Sequence, residues 1–160
     1  MPTEQINIRN ATPADAAVLD SLIRQLAAHE GAAHLISFTQ GQVAAALGNE
    51  RLRAILAEDG EGVCGFVTFT VDFAIWNGGD ILRVDDVFVS DRVRRRGIGR
   101  QLMLRIAKLA LEGNMIARWE IEPVNLAAQQ FYLGLGANLR DKIVARWELP
   151  AMAGAVGSSA

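Results

Sequence analysis

Apolar residues recur at helical spacing in the first part of the chain. Between positions 18 and 26 they form one face of an amphipathic helix, which is predicted to end near His29. Thr12 and Asp15 stand three residues apart just before this run, in the arrangement of a capping box. A weaker helical pattern covers residues 39–47. The first third of the chain therefore contains two predicted helices.

The central part of the chain alternates apolar and polar residues in the pattern of β-strands. Strands are predicted over residues 51–57 and 62–73, and the polar, glycine-containing residues 58–61 between them are typical of a hairpin. A further strand covers residues 81–89, and a short one at residues 6–9 precedes the first helix. Closely spaced strands of this kind indicate a mostly antiparallel sheet.

Helical and strand patterns alternate in the remainder of the chain. A strongly amphipathic helix is predicted over residues 98–112, a strand over 118–122, a helix over 125–133 and a last strand over 142–149. The complete order predicts an α+β (mixed α/β) fold. In this fold about four helices flank a central, mostly antiparallel twisted sheet.

Length and composition favour one compact domain. The chain has 160 residues, of which 51% are hydrophobic, and we expect a single domain over residues 1–149. Residues 150–160 are small and glycine-rich, so they are expected to form a flexible tail. The single cysteine, Cys64, excludes an internal disulfide and fits a buried thiol. Neither a signal peptide nor a membrane-spanning run is evident, so a cytoplasmic location without a membrane partner is expected.

The basic residues are concentrated in one short segment. The net charge is only −2, yet arginines cluster between Arg92 and Arg105. A general nucleic-acid-binding protein normally has a more basic composition, so no nucleic-acid partner is expected. The clustering favours a small, discrete anionic ligand.

The segment between the strand at 81–89 and the helix at 98–112 suits a phosphate group. Gly97 and Gly99 allow the backbone to approach a ligand, and the N-terminus of the helix offers N–H groups that have no partner inside the helix. Four arginines add positive charge, and no Gly-Lys-Ser/Thr follows the glycines as in a P-loop. Taken alone, this loop could equally be a solvated basic turn. The arginines are Arg94, Arg95, Arg96 and Arg100.

Two motifs in the chain resemble those of the GCN5-related N-acetyltransferase (GNAT) family. The spacing Arg94-x-x-Gly97-x-Gly99 is similar to the family's diphosphate-binding signature, and the segment from Asn125 to Tyr132 is similar to its Asn-x-x-Ala-x-x-Phe-Tyr motif. The resemblance implies a sheet whose fourth and fifth strands splay apart to admit acetyl-coenzyme A (acetyl-CoA). It also implies a set of cofactor-binding residues. These are Val87, Phe88, Val89, Arg94, Arg95, Arg96, Gly97, Ile98, Gly99, Arg100, Asn125, Ala128 and Phe131.

The implied reaction is direct attack of an amine on the thioester, which requires a base and benefits from an acid. An alkyl ammonium group has a pKa near ~10, so a carboxylate or a water chain must remove its proton. Asp85 is the favoured base and Asp86 the second. Strand alternation would place them on opposite faces, so only one of them is expected to point into the cleft. A structural carboxylate paired with Arg83 is the alternative. The resemblance implies that Tyr132 protonates the thiolate, whereas otherwise it would be an aromatic packing residue.

The pattern is most similar to the diamine (polyamine) acetyltransferase branch of the family. That resemblance implies an acceptor site lined by Glu30 and His29, which otherwise are a solvated helix end, with Trp76 in a loop that could border it. The expected acceptor is therefore a small diamine-like amine. The alternatives are an amino acid, an aminoglycoside, a protein N-terminus, or a non-catalytic acyl-CoA sensor. No metal is expected, and the last strand could pair across a homodimer.

Overall fold

The computed structural model describes residues 5–158 of the chain. They belong to two compact units, Met1–Glu120 and Ile121–Ala160. The single domain predicted over residues 1–149 stays a prediction. Among the described residues, no helix is both long enough and apolar enough to cross a bilayer.

The first unit is built on a five-stranded sheet with the spatial order β1-β2-β3-β4-β5. Neighbours from β1 to β4 are antiparallel, whereas β4 and β5 are parallel. This mixed sheet confirms the predicted α+β class. The strands are β1 Asn7–Asn10, β2 Arg53–Asp59, β3 Gly62–Ala74, β4 Gly79–Val89 and β5 Ile116–Arg118.

Helices cover both faces of this sheet. Helices α1 (Ala16–His29) and α2 (Gln40–Gly48) pack against the face that carries Phe66 and Phe88. Helix α3 (Ile98–Glu112) packs against the other face, where the side chain of Leu102 approaches Gly65. Both α2 and α3 were predicted from periodicity, and each ends within about one residue of the predicted position.

An ion-pair network fixes the start of α1 to the sheet. The backbone N–H of Thr12 donates to Asp15 at 2.7 Å, as the capping pattern predicted. Arg9 on β1 donates to Asp15 at 2.7 and 2.9 Å and to Glu58 on β2 at 2.7 Å. The guanidinium of Arg9 thereby lowers the pKa of Asp15 to about 2. The network ties β1, β2 and the segment before α1 together.

Strand β5 covers only a short part of the edge of β4. Their pairing joins residues 81–83 to residues 116–118 only, whereas β4 continues to Val89. In residues 5–158, the edge of β4 beyond Val84 has no strand partner on the β5 side. The predicted splay between the fourth and fifth strands stays a prediction, since β5 ends where its pairing with β4 ends.

The second unit differs from the sequence prediction in its last part. It contains helices α4 (Leu126–Gly134) and α5 (Leu149–Gly157), and the strand predicted over residues 142–149 is absent from the described chain. Ile143 is 99% exposed, and an alternating segment forms a strand only where a neighbour completes its hydrogen bonds. Within the predicted tail, the structure describes the helix Leu149–Gly157, whose first turn contains a proline that favours helix initiation. The flexibility predicted for residues 150–160 stays a prediction. The strand predicted over 118–122 lies at Ile116–Arg118 instead.

Candidate active site

The loop between β4 and α3 presents unsatisfied backbone donors. Gly97 is the N-cap of α3, with φ of 74°, and no side chain caps this helix end. A Cβ atom at Gly97 would meet no other atom within 4 Å, so the space in front of the loop is open. Val93 and Ile98 are buried on either side and anchor the loop to the core. The geometry is that of a preformed anion site.

The arginines of this loop divide into two groups. Arg94 pairs with Asp91 at 2.7 Å, and the guanidinium of Arg96 lies 3.8 Å from Asp59. Arg95 and Arg100 make no ion pair with any residue that the structure describes. Arg95 and Arg100 are thus the arginines of the predicted set whose charge is not already matched within the protein.

The edge of β4 leads directly into this loop. Val87, Phe88 and Val89 pair with β3 on one side and lie beyond the short β5 on the other. Phe88 is buried and faces α1 and α2. The backbone of this stretch could form strand-like hydrogen bonds with an extended ligand.

A β-bulge places Asp85 and Asp86 together. The register changes between Val67 and Phe69 on β3, so Thr68 alone stands opposite both aspartates. The N–H of Asp86 donates to the buried Thr68 hydroxyl at 3.1 Å. The two aspartates line the same cavity. Strict alternation, which predicted that only one could point into the cleft, is therefore wrong here, because a bulge interrupts the pleat.

Both carboxyl groups hold their protons more tightly than usual. Burial raises the pKa of Asp85, and the adjacent charge of Asp86 raises it further. Burial also raises the pKa of Asp86, opposed by the hydrogen bond with Thr68. A carboxylate with a raised pKa is a better proton acceptor from a bound ammonium group. The pair thus has the electrostatics expected of a general base.

Two adjoining cavities lie beside this carboxylate pair. The larger, of about 800 Å³, is bounded by α1, α2, the turn after α2 and the bulge. The smaller, of about 290 Å³, contains Glu30 and shares Asp86 and Phe38 with the larger. Glu30 therefore lines a cavity beside the carboxylate pair, and its role in acceptor binding stays a prediction. His29 does not line either cavity, and Trp76 is 98% exposed at the β3–β4 turn and lines neither.

The wall of these cavities includes residues that sequence reasoning missed. Phe38 lies between the two helices, outside any periodic pattern, and lines both cavities. Arg24 stacks over its ring at 5.5 Å and donates to the buried Asp20 at 2.8 Å. Gln40 also donates to Asp20, at 3.1 Å. These contacts of Asp20 form a brace between α1 and the start of α2. The only sign of it in the sequence is the acidic Asp20 among the apolar residues of α1, where the structure buries it.

The remaining predicted residues belong to the second unit. Asn125 caps α4, where its side-chain oxygen accepts from the N–H of Ala128 at 3.1 Å. Tyr132 is buried, and burial raises the pKa of its phenol. The ring of Phe131 meets that of Tyr132 edge-on at 5.0 Å. The motif thus forms a capped helix that carries an interacting aromatic pair.

No group of three or more His, Cys, Asp or Glu side chains in residues 5–158 is arranged to hold an ion. The expectation of a metal-free reaction stays a prediction.

The chain belongs to the acetyltransferase (GNAT) family. The family's sequence model matches residues 17–137, which include the β4–α3 loop, the bulge and the Asn125–Tyr132 motif. The protein is therefore a GNAT N-acetyltransferase, an enzyme class that uses acetyl-CoA as the acetyl donor.

Individual relatives agree with this assignment. The thialysine N-ε-acetyltransferase of Bos taurus is 27% identical over 143 residues, which cover 82% of this chain and 84% of the relative. The enzyme of the same name from Caenorhabditis elegans is 25% identical over 130 residues and 81% of each chain. Among solved structures, an aminoglycoside N-acetyltransferase in complex with CoA superimposes with a TM-score of 0.74 and 17% identity. That match covers 93% of this chain and 99% of the other and shows the shared fold.

Proposed function

We propose that this protein transfers the acetyl group of acetyl-CoA directly to the primary amine of a small, diamine-like molecule. The single observation that supports this proposal most is the uncapped start of α3 at Gly97, directly after the unpaired edge of β4. An extended ligand that ends in a diphosphate matches this succession of strand edge and anion site. The cofactor-binding residues predicted from the sequence remain the proposed contacts.

Within the anion site, backbone and side chains have different proposed roles. The N–H groups of Ile98, Gly99 and Arg100 bind the diphosphate oxygens, and Arg95 and Arg100 supply charge. Arg94 and Arg96 support the loop through Asp91 and Asp59. Acetyl-CoA supplies the thioester carbonyl that the amine attacks, and the loop fixes where it lies.

The carboxylate pair is the proposed base. A bound alkyl ammonium is attracted to Asp85 and Asp86, and one of them accepts its proton, directly or through water. The neutral amine then attacks the thioester carbon, the nitrogen releases its second proton to water, the C–S bond breaks, and the thiolate takes a proton. Tyr132 is proposed as the donor of that proton because its motif matches the family. Its phenol can regain a proton from solvent after product leaves.

The acceptor is proposed to be cationic and small. Glu30, Asp85 and Asp86 line cavities of about 290 and 800 Å³, which suit a short chain with amino groups. The printed name of the two curated relatives, thialysine N-ε-acetyltransferase, supports a side-chain primary amine as the acceptor group. An amino acid, an aminoglycoside and a protein N-terminus remain the alternative acceptors.

A thiol-release assay tests this function. Purified protein is incubated with acetyl-CoA and one member of a panel of diamines, amino acids, aminoglycosides and N-terminal peptides, and the acetylated product is identified by mass spectrometry. We expect release with diamine-like amines, and Tyr132→Phe should lower kcat about 100-fold, the lower end for general acid catalysis because a thiolate leaves readily. Full activity of Tyr132→Phe contradicts the acid role. No release with any amine contradicts acetyl transfer.

Homodimerisation and a cytoplasmic location stay proposals. The apolar side chains of residues 142–149, including Ile143 and Trp147, are exposed in the second unit, as a segment that pairs with a second copy would require. Sedimentation equilibrium of the full chain decides between one and two copies, and a monomer at micromolar concentration contradicts the dimer.

A further inference from the structure

The larger cavity carries charges of both signs. Asp85 and Asp86 supply its negative charge, and Arg51 supplies its only positive charge among the described residues that line it. The other polar lining groups are neutral. A cavity shaped for a purely cationic amine gains nothing from a guanidinium, because like charges disfavour binding.

Arg51 has no competing side-chain partner among the residues that the structure describes. Its position is fixed at the backbone, where its N–H donates to the side-chain oxygen of Asn49 at 3.2 Å. The carboxylate next to it in the chain, Glu50, pairs with Arg53 at 3.0 Å. Within residues 5–158, the guanidinium of Arg51 makes neither a hydrogen bond nor an ion pair. All five of its N–H donors are available to a ligand.

Packed contacts hold the wall of the cavity around Phe38 in place. Phe38 is stacked under Arg24, and the carboxylate of Asp20 binds both Arg24 and Gln40. Within the described residues, Arg51 forms no ion pair with Asp85 or Asp86, although all three line the cavity. A ligand that satisfied both the aspartates and Arg51 would therefore need its two charges separated.

We propose that the acceptor carries a carboxylate in addition to its amine, and that Arg51 binds this carboxylate while Asp85 and Asp86 receive the amine. The inference rests on the acetyl transfer proposed above and narrows its acceptor to amines that also carry a carboxylate, such as the diamino acids lysine and ornithine. A planar guanidinium matches a carboxylate with two parallel hydrogen bonds. Arg51 is thus a specificity-determining residue, and the wholly cationic polyamines are poorer acceptors.

Matched acceptor pairs test this inference. Each pair differs by one carboxylate: lysine and cadaverine, ornithine and putrescine, alanine and ethylamine. Thiol release with acetyl-CoA gives kcat/KM for each member. We expect the wild-type protein to prefer the carboxylate-bearing member of at least one pair by about tenfold, the lower end for hydrogen bonds to a charged group.

Variants of two neighbouring arginines separate recognition from folding. Arg51→Ala should abolish the preference by raising KM for the amino acid while leaving the matched amine unaffected or improved. Arg51→Lys should retain part of the preference for the carboxylate-bearing acceptor. Lysine keeps the positive charge but cannot form the two parallel hydrogen bonds of a guanidinium. Arg53→Ala is the control, because Arg53 pairs with Glu50 and does not line the cavity. The Arg53→Ala variant should prefer the carboxylate-bearing acceptor as strongly as the wild type does.

The outcomes distinguish this inference from the function on which it depends. Acetylation of amines with no carboxylate preference overturns the role of Arg51 and leaves acetyl transfer intact. An equal loss for both members of a pair in Arg51→Ala also overturns it. No acetylation of any amine overturns both proposals.

Discussion

Asp85 and Asp86 acquire their shared environment from one extra residue in β4. Because Thr68 alone faces both, the pleat is interrupted and the two carboxyl groups line one cavity. Their raised pKa values follow from burial and, for Asp85, from the charge of Asp86. Such an arrangement disfavours the charged forms, and a bound ammonium group would relieve that cost.

Neutralising this pair should stabilise the protein while it impairs the reaction. A carboxyl group with a raised pKa contributes stability below its unfolded pKa of about 4, and that contribution is lost as pH rises through its folded pKa. Asp86→Asn should therefore raise Tm relative to the wild type at pH 7, and the difference should vanish near pH 3. If Asp86 is the base, kcat/KM should fall about 100-fold. Thermal scans and thiol release at each pH measure both effects.

The same substitution on the neighbouring strand provides a control. Asp72 on β3 pairs with Arg83 at 3.2 Å and lines neither cavity. Asp72→Asn should not raise Tm at pH 7, nor should it lower kcat/KM. A fall in Tm with Asp86→Asn at pH 7 would contradict the electrostatic account, and unchanged activity in Asp85→Asn and Asp86→Asn would exclude both aspartates as the base.

The residue types of this site could be predicted from the sequence, whereas their arrangement could not. Two adjacent aspartates in an apolar strand are visible in the sequence, but a bulge depends on the register with β3. Likewise, Phe38 and Arg51 lie outside periodic segments, so only the packing of α1 and α2 brings them to the cavities.

At the scale of elements, the β2–β3 hairpin supports the anion-binding loop. Asp59 at the end of β2 accepts two hydrogen bonds from Arg92 at 2.8 and 3.1 Å, and Arg96 lies 3.8 Å away. The hydrogen bonds from Arg92 lower the pKa of Asp59. The hairpin thus fixes the loop on one side, while Val93 and Ile98 fix it from the core.

Removing the charge of Asp59 should weaken cofactor binding without changing the chemical step. In Asp59→Asn the loop loses the carboxylate that holds Arg92, so binding of acetyl-CoA must order the loop. KM for acetyl-CoA should therefore rise about tenfold, the effect of losing one charged hydrogen bond. The value of kcat should not change. Asp59→Glu should restore part of the affinity. Glu61→Gln is the control, since Glu61 contacts the same Arg92 at 3.1 Å from an exposed position. A fall in the kcat of Asp59→Asn as large as the expected rise in KM would contradict a positioning role.

Long periodic elements were predicted well, and short or partner-dependent ones were not. Helix α3 and strands β3 and β4 carry enough repeats for their period to identify them. Strand β5 has three residues, and its first and last residues are set by its pairing with β4. Residues 142–149 alternate as a strand would, yet alternation alone supplies no neighbour.

At the scale of the whole molecule, β4 and the loop after it bring most of the first unit's proposed chemistry together. The bulge at Asp85 and Asp86 is followed by the unpaired edge at 87–89, then by the loop and the start of α3. This order places a proton acceptor, a strand edge and an anion site in succession along one segment. The family match over residues 17–137 agrees with this succession.

Binding of CoA to variants of two matched glycines tests the central claim most directly. Gly97 and Gly78 have φ values of 74° and 61°, and a Cβ at either meets no atom within 4 Å, so glutamate at each imposes a similar strain and charge. By isothermal calorimetry, we predict that Gly97→Glu abolishes CoA binding, because a carboxylate would occupy the phosphate position. Gly78→Glu, at the β3–β4 turn, should bind as the wild type does. Unchanged affinity in Gly97→Glu would contradict the account.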